Sequence, residues 1–311
     1  MKFPLIVLTG LLLYTTACSG KAGIAISQPV EKPDTPTVAA CNRCVVVAEQ
    51  SQHRITIADL SSGAVIWEWK PSASNVDTAH IKWFNNPSDV KPVYHNKFIL
   101  MTASGGAVAL IRIADKKVVF YAYAGGNTHS AEILPDGNIV SASSTGNHLT
   151  LFRTDTTAFP GNVYTKTVPV DFGHNVVWDA DHQRLWSADR HKMWSFKYNF
   201  NREAPDLIVD TSFTLPGEEA HDLYPVYGEK TLWLTNTTHV YKFDINTLQL
   251  KPAGIIQDNI KSVSSGPAGY PTIVAKPNES WWTDEILDGN GKRIFKQKGW
   301  KIYKVRWLIP E

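Results

Sequence analysis

Two stretches of this chain repeat one design: "MTASGGAVALIRI" at residues 101–113 and "SASSTGNHLTLFR" at residues 141–153. Each contains a strand-like run, a turn of small residues and a second strand-like run. The design returns as "RLWSADRHKMWSFKYN" (184–199) and "TLWLTNTTHVYKFDIN" (231–246), and helical periodicity is scarce elsewhere. Self-similar units of about 40 to 50 residues, each with four short strands, are typical of β-propeller blades. The sequence therefore predicts an all-β propeller.

The first strands of the repeats can be aligned on the segments "PSDVKPV", "THSAEIL", "GHNVVWD", "AHDLYPV", "IKSVSSG" and "IYKVRWL". Their matching head residues lie 41, 45, 47, 40 and 42 residues apart along the chain. Because the first strand of a blade lies against the central axis, residues at these positions should meet around one end of the channel. The head residues are Ser88, His129, His174, His221, Lys261 and Tyr303.

Closure of the ring follows from the two ends of the body. The last segment, "KIYKVRWLIP", has no strands after it, and the segments "CVVVAEQ", "RITIADL" and "AVIWEWK" near residue 41 lack a leading strand. Joining them completes one blade and removes an open sheet edge. The prediction is six blades. Seven blades would require hidden strands between Trp67 and Asn86, where the sequence is more typical of an inter-blade loop.

The first 40 residues indicate an envelope protein. Residues 1–17 have a charged start and a short apolar run, as in a secretory signal peptide. "TTAC" resembles a lipobox, which predicts lipidation of Cys18; ordinary cleavage near Ala17, giving a soluble periplasmic product, is the alternative. Residues 18–40 should be a flexible tether and residues 41–311 the propeller. The predicted location is the outer membrane, on its periplasmic or its outer side.

Charge and cysteine content exclude little else. The chain has 31 Lys and Arg residues against 29 Asp and Glu residues, so nothing predicts nucleic-acid binding. A basic stretch at residues 292–306 is interpreted as the charged edge of a strand pair. Cys41 and Cys44 form a CxxC motif, which in an oxidising compartment favours a local disulfide.

The head residues form the candidate site. Three imidazoles from consecutive blades, His129, His174 and His221, could bind an anion, act as acid, base or nucleophile, or hold a divalent metal. Lys261 favours an anionic ligand over a metal. A hydrogen-bonded polar plug that only closes the channel is the structural alternative. Further candidate ligand-binding residues near the heads are Asp89, Lys91, Glu132, Asn175, Asp222, Ser262 and Arg306.

Trp282 in "NESWWTDE" (residues 278–285) is a candidate for stacking on a sugar ring, and packing between blades is the alternative. No Ser-His-Asp arrangement, GxSxG motif or phosphate-binding glycine loop points to a more specific reaction.

The chain resembles a family of bacterial envelope lipoproteins of unassigned function that form β-propellers. The likeness rests on "VAEQSQHRITIADLSSGAVIWEWKP", "GGNTHSAEILPDGNIVSASSTGNHLTLFRTD", "HDLYPV" and "ESWWTDEI", which lie along most of the chain. It implies fold and compartment but no reaction. "HSAEILPDGN" is also distantly similar to arylsulfate sulfotransferases, six-bladed propellers with a nucleophilic axial histidine, which would correspond to His129.

Two classes of function follow. The first is a propeller that binds a small polar, glycan or anionic ligand in an axial pocket lined by His129, His174, His221 and Lys261. The second is an enzyme, a lyase, hydrolase or sulfotransferase-like protein, using an axial histidine with or without a divalent metal. A scaffold for protein interaction is a further alternative. Membrane contact is expected only through the lipid anchor.

Overall fold

A computed structural model describes residue 38 and residues 41–310 of the chain. The predicted signal peptide, Cys18 and the tether lie outside the described residues, apart from Val38, and remain predictions. The described part contains 24 strands in six four-stranded antiparallel sheets, so the six-bladed propeller is confirmed. No helix in this part is both long and apolar enough to cross a membrane.

Blade 1 joins both ends of the body, as predicted from the incomplete terminal segments. Cys44 pairs with Leu308, and Glu49 pairs with Ile302, so the last strand completes the first sheet. The blade contains β1 (Cys44–Glu49), β2 (Arg54–Asp59), β3 (Val65–Trp69) and the last strand of the chain, β24 (Ile302–Leu308).

The other five blades follow in chain order, each with its first strand innermost. Blade 2 contains β4 (Pro87–Val93), β5 (Phe98–Ala103), β6 (Ala107–Arg112) and β7 (Val118–Tyr123). Blade 3 contains β8 (Thr128–Ile133), β9 (Ile139–Ser143), β10 (His148–Phe152) and β11 (Thr165–Pro169). Blade 4 contains β12 (Val177–Asp179), β13 (Arg184–Ala188), β14 (Lys192–Tyr198) and β15 (Leu207–Thr214). Blade 5 contains β16 (Asp222–Pro225), β17 (Thr231–Thr235), β18 (Val240–Asp244) and β19 (Gln249–Pro252). Blade 6 contains β20 (Ser262–Ser264), β21 (Ile273–Ala275), β22 (Glu285–Asp288) and β23 (Arg293–Lys296).

The segment between blades 1 and 2 holds two short 3-10 helices, Pro71–Ala73 and Thr78–Phe84, and no strand. The seven-blade alternative is therefore wrong. The innermost strands β24, β4, β8, β12, β16 and β20 contact one another in a closed ring.

The core lies between the blades. Each blade packs both faces against its neighbours, so all six residues of β1 and all five of β9 are buried, whereas the outer strand β11 is largely exposed. Aromatic side chains fill the widening gaps, as where Trp186 of blade 4 meets Phe243 of blade 5 with ring centroids 5.0 Å apart. This packing explains why the middle strands are apolar on both faces instead of alternating.

Candidate functional site

The six head residues surround one end of the channel, which we call the mouth. All six are buried, with Ser88 fully covered, Tyr303 5 % exposed and the other four between 4 and 8 %. We call this set the mouth ring. Because the innermost strands run away from the mouth, residues one and three positions after each head lie successively deeper in the channel.

β-Bulges allow consecutive residues to face the axis. In β4 and β8 the pairing with the next strand skips Ser88 and His129, and the pairing of β24 with β1 shifts between Val47 and Glu49, opposite Tyr303. An extra residue in one strand re-aims its side chain. The bulges therefore explain how a head residue and its successor both enter the channel, which strict alternation would forbid.

The three histidines are neighbours in the mouth ring. The rings of His129 and His174 stack with centroids 4.4 Å apart, and His174 meets His221 edge-on at 5.4 Å. The Phe172 carbonyl accepts a hydrogen bond of 2.9 Å from His174 Nδ1. The structure thus brings together the imidazoles that the sequence spacing predicts to be adjacent.

Lys261 completes this group of side chains. Its Nζ donates to His221 Nε2 at 3.0 Å, and among the residues that the structure describes it forms no ion pair with a carboxylate. Burial, partly offset by the more distant charge of Glu219, lowers the pKa of Lys261 to about 8. Lys261 is therefore a buried cation whose partner is a neutral imidazole.

The histidines are uncharged at neutral pH. Burial is the main cause, and the charges of Lys304 and Lys261 add to it, lowering the pKa of His174 to about 3. The pKa values of His129 and His221 are also well below the ordinary value, again mainly through burial. Nδ1 of His129 and Nδ1 of His221 are buried without a hydrogen-bond partner within the described part of the chain.

A metal is poorly accommodated by this arrangement. Across residues 38 and 41–310, no group of three or more His, Cys, Asp or Glu side chains is placed to hold a metal ion. At His221, a metal would have to displace the Lys261 ammonium from Nε2.

Below the mouth ring the channel is filled by ion pairs, which we call the central network: Asp89, Asp222, Lys304 and Arg306. Arg306 donates to both carboxylate oxygens of Asp222 at 2.6 and 2.7 Å and to Asp89 at 3.1 Å. Lys304 Nζ lies 3.1 Å from Asp222 Oδ1 and 3.6 Å from Asp89 Oδ2. All four residues are at most 1 % exposed.

The central network is charge-balanced, with two carboxylates and two cations. Burial alone would raise the pKa of Asp89, but the charges of Lys304 and Arg306 outweigh it and hold the pKa well below the ordinary value. Ser130 Oγ also donates to Asp89 at 2.8 Å. The four members of the central network pair with one another. A polar plug that only closes the channel, the structural alternative named from the sequence, would have this kind of internal pairing.

The remaining candidate residues lie at several depths. Ser262 Oγ accepts from the Val305 amide, and Asn175 Oδ1 accepts from the Ala188 amide. Deeper still, Lys91 pairs with Glu132 at 3.0 Å. Trp282 lies outside the channel, with Lys301 Nζ 4.2 Å from its ring centre.

Sequence reasoning missed Lys304. The prediction that the basic stretch 292–306 is the charged edge of a strand pair is wrong for Lys304 and Arg306, which are fully buried. The aligned head Tyr303 carried the missing signal, because Lys304 occupies the position of Asp89 and Asp222 in their repeats. Cys41 and Cys44, by contrast, form the expected local disulfide.

These features define a six-bladed β-propeller with a charged, filled axial channel. The chain belongs to DUF6528, a family of unknown function, whose model matches residues 2–311. Membership of an unknown-function propeller family is therefore confirmed.

Two solved structures share this fold. A protein of unknown function from Bacteroides caccae matches with a TM-score of 0.58 and 12% identity, covering 85% of this chain and 98% of that chain. The Cps50 (Swd1) β-propeller domain of Myceliophteria thermophila matches with a TM-score of 0.54 and 14% identity, covering 83% and 86%. At these identities the likeness shows the fold alone. No curated protein matches the chain.

Proposed function

We propose that this protein is a binding propeller that receives an anionic group of a small polar or glycan ligand at the mouth ring. The supporting observation is Lys261, a buried ammonium that contacts a neutral imidazole and has no carboxylate within ion-pairing distance among the described residues. A buried charge without an opposite charge is costly. A carboxylate, sulfate or phosphate group would supply the missing charge.

The other cations near the mouth already face carboxylates. Arg190 lies beside the mouth, with its guanidinium 4.2 Å from the Phe172 ring centre, and it pairs with Glu219 at 2.6 Å and with Asp171 at 3.6 Å. Lys304, below the mouth, belongs to the charge-balanced central network. The preference for an anion therefore rests on Lys261. The neutral histidines add uncharged hydrogen-bonding groups, which suit recognition of a polar ligand.

Calorimetric titration with sulfate, phosphate, glucuronate and sialic acid tests the proposal. We expect at least one anion to bind the wild type and to lose about tenfold or more in affinity with Lys261→Met, a loss of about 1.4 kcal/mol. Lys117→Met, which alters an exposed lysine on the opposite face, is the matched control. Equal affinities for wild type and Lys261→Met, or no binding of any of the four anions, would contradict the proposal.

Catalysis by an axial histidine is the second candidate function. Its support is the geometry of His129, whose Nδ1 is buried without a hydrogen-bond partner among the described residues and whose ring stacks on His174. Intact-mass analysis after incubation with an aryl sulfate tests the sulfotransferase-like form. A sulfated protein that is absent in His129→Ala supports it, and an unchanged mass in the wild type rejects it.

We also propose that the protein is a lipoprotein of the cell envelope, anchored through Cys18. The supporting observations are the charged start and the short apolar run of residues 1–17 and the "TTAC" stretch that ends at Cys18. Membrane fractionation tests the anchor: Cys18→Ser should release the protein into the soluble fraction, and persistent membrane association would contradict it.

A further inference from the structure

An open cleft of about 450 Å³ lies on the mouth side of the propeller, between blades 3 and 4. It is separate from the axial channel and was not singled out from the sequence. Its size falls within the range of about 300–1,000 Å³ that is typical of small-molecule sites. The residues that line it are Asn147, Pro169, Val170, Asp171, Asp189, His191, Lys192 and Trp194.

The aromatic floor of this cleft is held in place before any ligand arrives. Trp194 Nε1 donates to Asp189 Oδ2 at 2.5 Å. The other oxygen of Asp189 accepts from the backbone amides of His191 and Lys192 at 2.6 and 2.5 Å. Because Asp189 is itself only 4 % exposed, the carboxylate fixes both the loop and the indole. A ring fixed in this way loses little conformational freedom on binding.

Polar groups surround the indole. The exposed Lys192 side chain places its Nζ over the Trp194 ring, 5.3 Å from the ring centre. The Asp171 side chain is 58 % exposed and lies 3.6 Å from Arg190 Nε, and Asn147 and His191 are also exposed. The cleft thus combines an apolar aromatic floor with hydrogen-bond donors and acceptors around it.

We propose that this cleft is a saccharide subsite in which one pyranose ring stacks on Trp194, displacing the exposed Lys192 side chain from the indole face to the edge of the sugar. A pyranose presents an apolar C–H face to an indole, while its hydroxyl groups point outward to polar partners. Asp171 can accept from these hydroxyls, and Lys192 and Asn147 can donate to them. This proposal depends only on the residues that line the cleft and not on anion binding at the mouth ring.

A shared wall connects the cleft to the mouth ring. Asp171 is followed by Phe172, whose ring centre lies 4.1 Å from that of His174. If both sites take one molecule, the ligand of the proposed function is an acidic saccharide. This extension rests on the proposed function, whereas the neutral-sugar subsite does not.

Titration with neutral methyl glycosides of glucose, galactose, mannose and N-acetylglucosamine tests the subsite. The readout is the indole ¹H–¹⁵N resonance of Trp194, assigned by its loss in Trp194→Phe. We expect at least one glycoside to shift this resonance. Asp171→Ala, followed by the same resonance, and Trp194→Ala, which lacks it and is followed by calorimetric titration, should each weaken that glycoside about fivefold or more, roughly 1 kcal/mol. Asp171 is exposed, so its variant separates lost binding from lost folding.

Trp281→Ala is the matched control, because Trp281 is 51 % exposed and lies in a loop of blade 6. It should bind the same glycoside as the wild type. The subsite is overturned if no glycoside shifts the Trp194 resonance, or if Asp171→Ala and Trp194→Ala bind as tightly as the wild type. Lys261→Met should not change neutral glycoside affinity, so failure of anion binding at the mouth and failure of the cleft give different results.

Discussion

The central network and the mouth ring lie in the same channel but differ in how their charges are compensated. In the central network, Lys304 and Arg306 face Asp89 and Asp222, and each charged group has an opposite partner within 3.6 Å. In the mouth ring, Lys261 faces only the neutral ring of His221 at hydrogen-bonding distance. The first arrangement holds the inner strands together, and the second leaves a cation ready for an anion.

The largest expected effect is on the central network. Asp222→Asn keeps the shape of the side chain but removes the charge that faces both Lys304 and Arg306. Breaking a buried ion pair on one side costs about 3–5 kcal/mol, because the partner charge stays buried. Urea unfolding should show a loss of that size.

An exposed ion pair serves as the control for this change. Asp115 pairs with Arg112 at 2.9 Å, and both side chains are more than 40 % exposed. Asp115→Asn should cost no more than about 1 kcal/mol. If Asp222→Asn and Asp115→Asn lose the same free energy of unfolding, the central network does not stabilise the fold more than an exposed ion pair does.

The next effect concerns Lys261 and alkaline pH. Its pKa is about 8 in the folded protein against an ordinary 10.5, so the unfolded chain binds more protons between these values. The free energy of unfolding of the wild type should therefore rise with pH by roughly 2–3 kcal/mol relative to Lys261→Met across that window. The comparison isolates Lys261 from Glu219, His221 and Lys304, which are present in both proteins. If the difference in unfolding free energy between the wild type and Lys261→Met does not change from pH 8 to 10.5, Lys261 is not an uncompensated buried cation.

A smaller effect is expected at acid pH from His174. Its pKa is about 3 in the folded protein against an ordinary 6.5, so the unfolded state takes up protons first as the pH falls. Stability should be lost progressively below pH 6.5, by about 1.5 kcal/mol at about pH 5. His174→Phe keeps the stacked ring and removes this proton. Urea unfolding at pH 6.5 and at pH 5 measures the loss of unfolding free energy on acidification. If this loss is the same in the wild type and in His174→Phe, His174 is not a buried neutral imidazole.

The smallest effect belongs to the deep end of the channel. Lys91 pairs with Glu132, whose side chain is 17 % exposed, and also donates to the Val176 carbonyl at 2.7 Å. Because that second bond remains, Glu132→Gln should cost only about 1 kcal/mol in thermal unfolding. If Glu132→Gln loses as much unfolding free energy as Asp222→Asn, the Lys91–Glu132 pair stabilises the fold as strongly as the central network does.

Much of the ring could be predicted from repeat spacing. The intervals between His129, His174 and His221 match the length of one blade, and closure makes such positions neighbours. The pairing inside the channel could not be predicted in this way. Whether Lys304 points inward depends on a β-bulge opposite Tyr303, and period-two reasoning contains no signal for an extra residue.

The cleft between blades 3 and 4 was hidden for a different reason. Trp194 is one of 11 tryptophans, and packing between blades is the ordinary role of such residues in a propeller. Its place in the lining of the cleft depends on Asp189 holding the indole and on the course of the loop at Asp171. Both are tertiary features that a local pattern does not encode.

The central claim is that Lys261 is an uncompensated cation at the mouth, and its ionisation tests this most directly. In protein labelled with ¹³C,¹⁵N-lysine, the Lys261 signal can be assigned by its absence in Lys261→Met and followed through a pH titration. We expect a pKa of about 8 that rises when a bound anion from the calorimetric set is present. A pKa near 10.5 that no anion alters would contradict the account.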